Sequence, residues 1–150
     1  MIPESVRSLV STGPLAHLTT LNSNGSPQVT VVWIGIEDDE FVSAHLSEHR
    51  KVRNVRNDGR VALSFLGKGR NPQGLLEYVV AYGTARVTEG GAVNLLTRLA
   101  EIYLGPGADF PPASMRSRPG FVTRIRPDRF GGIGPWYGPS GRSRRNVTAH

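Results

Sequence analysis

The fold is decided by residues 15–45, which have the sequence LAHLTTLNSNGSPQVTVVWIGIEDDEFVSAH. Runs rich in β-branched and aromatic side chains predict strands over residues 15–21, 29–36 and 41–45. The segments NSNG at 22–25 and EDD at 37–39 separate these runs and have the composition of tight turns. The stretch therefore predicts an antiparallel meander of three strands.

The remaining sequence predicts three helices and three further strands. Helices are predicted over 3–12, 47–57 and 91–104 from apolar spacings of three and four residues. Strands are predicted over 61–66, 75–88 and 121–125, with a bulge or bend at Gly83 and a flexible glycine-rich loop over 67–74. Most strands follow one another through short turns, without a parallel βαβ rhythm. The fold class is therefore mostly β (α+β), an antiparallel barrel with short flanking helices.

Length and charge predict a single domain over residues 1–136 and a flexible C-terminal tail over 137–150. A chain of 150 residues can bury roughly 70% of its extended surface. Its formal net charge is +6, and three arginines within residues 140–150 supply half of it, in a polar segment without an acidic residue. The +3 that remains is modest and suits a domain that binds an anion.

Residue types and segments that are absent exclude several functional classes. The sequence has no cysteine, which excludes disulfides, thiolate metal sites and cysteine nucleophiles. The first ten residues, MIPESVRSLV, lack the basic and apolar regions of a secretory signal. The longest apolar run, residues 29–36, is far too short to span a membrane. We therefore expect a cytoplasmic protein without a membrane partner.

Conventional catalytic and metal-binding motifs are also absent from the sequence. It contains no G-x-S-x-G, no H-E-x-x-H and no phosphate-binding loop of the Walker type. His45 and His49 are four residues apart, but His45 precedes the predicted helix, so the pair does not lie on one helix face. We expect no metal site, and we assign no side chain a catalytic role.

A basic segment, SEHRKVRNVRNDGR, occupies residues 47–60 and carries five cations against two acids. Ser47 is predicted to cap the helix, and Val52 and Val55 are spaced to face the core. Arg50 and Lys51 then lie in the first turn, where free backbone N–H groups and the helix dipole favour an anion. The segment predicts a phosphate site, although a solvated basic face has the same composition and remains an alternative.

Several short motifs follow one another in a recognisable order. They are GSPQVTVVW at 25–33, KVRNV at 51–55, Asp58, RVALS at 60–64, YGTARV at 82–87, RIRPDR at 124–129 and GPW at 134–136. Their order and spacing over residues 4–136 resemble the pyridoxamine-phosphate-oxidase-like split β-barrels. Within that superfamily, the sequence is most similar to the branch that depends on the deazaflavin coenzyme F420.

This resemblance implies a homodimer that holds a cofactor in each of two clefts at its interface. The second strand would contact the ring system, and the end of the third strand would hold the polar edge of the ring. Arg50 and Lys51 would bind the phosphate, Tyr78 would lie near the cofactor, and Trp136 of the other subunit would wall the cleft. The implied cofactor-binding residues are Gln28, Val29, Thr30, Val31, Ala44, His45, Leu46, Arg50, Lys51, Tyr78 and Trp136.

The function that the resemblance implies is an F420-dependent oxidoreductase. Hydride would pass from the reduced deazaflavin to an electron-poor small molecule, and the protein would mainly position the two partners. An FMN-binding oxidoreductase of the same fold stays open, because a basic helix binds either cofactor's phosphate. A nucleic-acid-binding module is suggested only by the arginines and a sequence pI near 10.5. It is disfavoured because the aromatic residues lie mainly in strands.

Overall fold

The computed structural model describes residues 1–136 as one seven-stranded sheet with three α-helices. The predicted tail over 137–150 lies outside the described residues. The elements in chain order are α1 Glu4–Val10, β1 Ala16–Leu21, β2 Pro27–Val32, β3 Gly35–Glu37, β4 Glu40–His45, α2 Arg50–Asn57, β5 Arg60–Arg70, β6 Leu76–Glu89, α3 Ala92–Tyr103, a 3₁₀ turn at Ala113–Met115, and β7 Phe121–Ile133. No helix in this part of the chain is long and apolar enough to cross a membrane.

The strands lie in the order β2-β1-β5-β6-β7-β4-β3, and every neighbouring pair is antiparallel. The architecture is a split β-barrel, as predicted. The longest ladder joins β6 to β7, and its register shifts between Tyr82 and Gly83. A Cβ at Gly83 would lie 2.1 Å from the Arg126 carbonyl oxygen, so this position requires glycine. The predicted bulge is confirmed.

The core lies inside the barrel and is built from one face of each strand. Alternate side chains of the strands point inward. The largest fully buried members are Phe41, Phe65, Ile2, Leu18, Ile34, Leu63 and Ile125. A second, smaller cluster lies outside the barrel, where Leu95 and Leu99 of α3 pack against Val42 and Val122. The three helices thus cover a sheet that supplies most of the buried surface.

The predicted strand over 29–36 is interrupted. β2 ends at Val32, and β3 begins at Gly35. Between them, the Trp33 ring stacks on Tyr103 of α3 with centroids 5.1 Å apart. The Ile34 N–H donates to the Tyr103 hydroxyl at 3.0 Å, so the backbone bonds to the helix instead of to a neighbouring strand. This contact, which joins distant parts of the sequence, redirects the chain from one half of the barrel to the other.

The glycine-rich segment 67–74 is only partly a loop. β5 continues to Arg70, and the turn that follows is closed by Asn71, whose Oδ1 accepts from the Gln73 and Leu75 N–H groups. A Cβ at Gly67 would lie 3.0 Å from Glu77, so glycine here allows β5 and β6 to approach closely. The predicted loop over 67–70 is therefore wrong. Glycine marks close strand packing at this point, as it does at Gly83.

Two further boundaries differ from the prediction. The last strand runs to Ile133 instead of stopping at residue 125, since β6 supplies a pairing partner along its whole length. Helix α2 begins at Arg50, and its N-cap is His49, which makes no side-chain capping bond. The His49 N–H donates to the Ser47 carbonyl at 2.9 Å in a separate turn before the helix. The prediction of Ser47 as the cap is wrong.

Candidate functional site

Helix α2 presents a buried apolar face and an exposed basic face. Val52 and Val55 are 0% and 4% exposed and anchor the helix on the core. Arg50 is exposed and Lys51 is half-buried. In the described part of the chain neither cation has an ion-pair partner, whereas Arg56 in the last turn pairs with two glutamates. The first turn of α2 thus holds two unpaired positive charges near free backbone N–H groups.

A polar cleft of about 340 Å³ lies between α2 and the β1–β2 turn. The lining residues are Asn22, Ser23, Arg50, Arg53, Asn54 and Asn57. We call it the turn–helix cleft. Its four helical residues have the spacing i, i+3, i+4 and i+7, which places them on one face of α2. Two guanidinium groups, amides and a hydroxyl line the cleft, and no acid does, so it suits a ligand group with several anionic oxygens.

Asn54 ties α2 to the β1–β2 hairpin and is only 8% exposed. Its Nδ2 donates toward Thr20 Oγ1 at 3.1 Å, Asn22 Oδ1 at 3.0 Å and Gln28 Oε1 at 3.2 Å. The Thr20 hydroxyl in turn donates to Gln28 Oε1 at 3.2 Å. Because one amide bonds to β1, to the turn and to β2, the cations of α2 are held in a fixed position relative to the hairpin.

Lys51 and His45 form the second polar part of the site. Burial lowers the pKa of Lys51 from its ordinary value. Burial, together with the positive charges of Lys51 and His49, lowers the pKa of His45 to about 3. The His45 Nε2 lies 3.1 Å from the Thr123 hydroxyl, inside the barrel. His45 is therefore a neutral, internally bonded imidazole, and Lys51 carries a partly desolvated charge that an anionic ligand could neutralise.

The residues predicted on β2 divide between the two faces of the strand. Gln28 and Thr30 are half-buried and face the inside of the barrel, whereas Val29 and Val31 are 58% and 54% exposed on the outside. The Thr30 hydroxyl is buried without a hydrogen-bond partner. A ligand seated on the inner face would meet the polar pair, and one seated on the outer face would meet the valines.

Comparison with known protein families identifies the family of this chain. A family model described as pyridoxamine 5'-phosphate oxidase matches residues 2–133, nearly all of the described chain. The chain belongs to the pyridoxamine 5'-phosphate oxidase family. A search of curated proteins gives no match.

Several solved structures share the fold of this family member at low sequence identity. A protein named F420 reductase is 24% identical, with a TM-score of 0.68, and the match covers 87% of this chain and 98% of that one. The conserved hypothetical protein Rv2991 from Mycobacterium tuberculosis is 23% identical, with a TM-score of 0.69 and coverage of 99% and 96%. HupZ from Group A Streptococcus is 19% identical, with a TM-score of 0.61 and coverage of 89% and 94%. These likenesses establish the split-barrel fold.

The other cofactor-binding residues that the sequence resemblance implied lie in several different environments. Ala44 is half-buried and packs against the cluster beneath α3, and Leu46 is half-buried in the connection to α2. Tyr78 is 38% exposed on the outer face of β6. Trp136 is 5% exposed in the core of its own subunit. Its predicted place in the wall of a partner's cleft stays a prediction.

Of the six residues that line the turn–helix cleft, the sequence interpretation predicted a binding role only for Arg50. It predicts no ligand-binding role for Arg53 and gives no role to Asn22, Ser23 and Asn57. The helical spacing of Arg50, Arg53 and Asn57 is a signal that could have placed them on one face. The contribution of the β1–β2 turn carries no local signal, since it depends on where α2 packs. In the described residues, no group of three or more His, Asp or Glu is placed to hold a metal ion.

Proposed function

We propose that this family member binds coenzyme F420 in a homodimer and transfers hydride from the reduced deazaflavin to an electron-poor small molecule. Two observations carry the proposal: the unpaired Arg50 lines the turn–helix cleft, and the unpaired, half-buried Lys51 follows it in the same turn of α2. A phosphate there would gain charge-assisted hydrogen bonds and would neutralise the partly desolvated Lys51. Arg53 adds a further cation for an acidic extension beyond the phosphate.

The residues present fit such a cofactor at three points. The cations of α2 suit its phosphate, the half-buried Gln28 carboxamide suits the polar edge of a ring, and the unpartnered Thr30 hydroxyl is a polar group that a ligand could satisfy. When bound, the deazaflavin supplies the hydride donor. The protein's part is to bind, to orient and to exclude water. His45 is a poor proton donor because its lowered pKa keeps it neutral, which leaves solvent or a tyrosine for that role.

The similarity in fold to an F420 reductase supports the deazaflavin hypothesis. FMN is the second candidate, because the matching family is described by a pyridoxamine phosphate oxidase. Both cofactors carry a phosphate, so the cations alone do not separate them. The acidic tail of F420 is the distinguishing group, and the guanidinium of Arg53 in the turn–helix cleft favours it.

The homodimer is supported by the exposed apolar side chains on the outer face of the sheet, which lie among polar ones. Val29 lies across from Thr19, Thr19 across from Ala62, and Ala62 across from Tyr82, which makes one continuous row over four strands. Leu66 and Tyr78 form a second paired row, and Leu66 is 60% exposed. A surface of this kind on a globular domain marks an interaction site, and we propose that a second copy of the chain covers it.

The test is a fluorescence titration of the apo protein with F420 and, separately, with FMN. We expect F420 to bind more tightly, and Lys51→Ala to weaken its binding by at least tenfold, since a charge-assisted contact is lost. The matched control is Arg60→Ala, which removes a cation just beyond α2 that is already paired with Asp58. It should bind like the wild type.

Two outcomes would change the assignment. Tighter binding of FMN than of F420 would move the protein to the flavin-binding members of the family. If neither cofactor binds below about 100 µM, which corresponds to about −5.5 kcal/mol, the hydride-transfer proposal is wrong. Where F420 does bind, oxidation of the reduced cofactor by an enone or a quinone then tests the enzymatic step.

A further inference from the structure

The carboxamide of Gln28 is held in one orientation by a directional chain of hydrogen bonds. The chain starts in the β1–β2 turn, where Asn22 Nδ2 donates to Ser26 Oγ at 3.1 Å. That bond leaves Asn22 Oδ1 to face Asn54, whose Nδ2 donates to it at 3.0 Å. The same Nδ2 also donates toward Gln28 Oε1 at 3.2 Å. Each bond fixes which end of the next amide is the donor.

The orientation of Gln28 follows from this chain. Its Oε1 accepts from both the Thr20 hydroxyl and Asn54 Nδ2, so its Nε2 points away from them. Within residues 1–136 no partner is found for Nε2, and it is not among the buried unpartnered atoms, so solvent reaches it. Gln28 thus offers two amide hydrogens outward, next to the helix that carries Arg50 and Lys51.

We propose that Gln28 is a cofactor-binding residue that acts as a hydrogen-bond donor, and that Asn54 is the positioning residue that keeps it a donor. The inference rests on the proposed function, because the acceptor is an oxygen of the bound cofactor. That oxygen is either a ring carbonyl or a phosphate oxygen. In both cases the site selects a ligand that presents an acceptor to position 28, and it rejects one that presents a donor.

Gln28→Glu tests the donor with little disturbance of the fold. One carboxylate oxygen can still accept from Thr20 and Asn54, as Oε1 does now, while the other replaces the outward amide with an acceptor. We expect binding of F420 or FMN, whichever the wild type prefers, to weaken at least tenfold at pH 8 with an unchanged thermal midpoint. Gln73→Glu, the same change in the exposed β5–β6 turn, should have no effect on binding.

A phosphate-free analogue of the preferred cofactor separates the two acceptors. If Gln28→Glu weakens binding of both the analogue and the cofactor tenfold, the amide of Gln28 donates to a ring carbonyl. If it weakens binding of the cofactor alone, the amide donates to the phosphate. Unchanged binding of both by Gln28→Glu overturns the inference. If the wild type binds neither F420 nor FMN, the proposed function itself fails, and that result is distinct from the preceding one.

Asn54→Asp tests the positioning role. The carboxylate that this change introduces has no donor to offer, so Gln28 should rotate and turn its Nε2 inward, which presents Oε1 to the cofactor. We expect the cofactor's Kd to rise at least tenfold although Gln28 itself is intact. A lower thermal midpoint with an unchanged Kd would show that Asn54 only supports the fold, and the positioning role would be wrong.

Discussion

At the scale of single residues, His45 is a basic group that the fold holds neutral. The residue is 5% exposed, its ring lies against Thr123, and the positive charges of Lys51 and His49 are nearby. The folded pKa is about 3, against an ordinary value of 6.5. Between these two values the unfolded chain binds a proton that the folded chain does not. Stability should therefore fall as the pH falls through this window.

The variant His45→Gln should remove this part of the acid sensitivity. The slope from one such group approaches about 1.4 kcal/mol per pH unit. The wild type should therefore lose about 2 kcal/mol more than His45→Gln in free energy of unfolding between pH 6.5 and pH 5. Urea unfolding at the two pH values measures the difference. Equal slopes in His45→Gln and wild type would contradict the assignment.

At the scale of elements, Tyr103 joins α3 to two turns of the chain. Its hydroxyl donates to the Pro14 carbonyl at 2.6 Å and accepts from the Ile34 N–H at 3.0 Å. Its ring stacks on Trp33. This one side chain fixes both the entry to β1 and the break between β2 and β3, so α3 takes part in shaping the barrel as well as covering it.

Removal of this hydroxyl should destabilise the protein. Tyr103→Phe keeps the ring stacking but leaves the Ile34 N–H and the Pro14 carbonyl without their partner. We expect a loss of about 1–3 kcal/mol in the free energy of unfolding, measured by urea denaturation. Tyr82→Phe makes the same change at a residue that is 37% exposed, and its free energy of unfolding should lie within about 0.5 kcal/mol of the wild-type value. A Tyr103→Phe variant as stable as Tyr82→Phe would mean that water replaces both bonds.

Sequence patterns predicted the elements better than their ends. Alternation and helical spacing are local properties, and they identified the three helices and the general course of the sheet. The ends of β5 and β7 were missed because they are rich in glycine and proline, residues that ordinarily mark loops. There they serve close strand packing and the bulge beside Pro127, where the register with β6 skips Asp128. Most of the cleft was missed for a related reason, since Asn22 and Asn54 meet only after α2 packs on the hairpin.

At the scale of the whole molecule, the apolar outer face predicts how two copies associate. Leu66→Glu places a carboxylate in the middle of the proposed interface. In a dimer this charge would be buried without an opposite charge to pair with. We expect the wild type to be a dimer and this variant a monomer, measured by size-exclusion chromatography with light scattering. Leu104→Glu, at a residue 57% exposed after α3, should stay dimeric. A monomeric wild type would refute the interface.

The strand order also determines when this protein can fold during synthesis. Among the described residues β7 is the last strand in chain order, yet it lies between β6 and β4 and joins the two halves of the sheet. Until β7 has left the ribosome, the β3–β4 hairpin has no neighbouring strand, and the edges of β4 and β6 that face β7 stay unpaired. Open edges of this kind are prone to aggregation, so the nascent chain passes through its most vulnerable state just before completion of the sheet. A chain that stops before β7 should accumulate as an insoluble product, however well its first hairpins form.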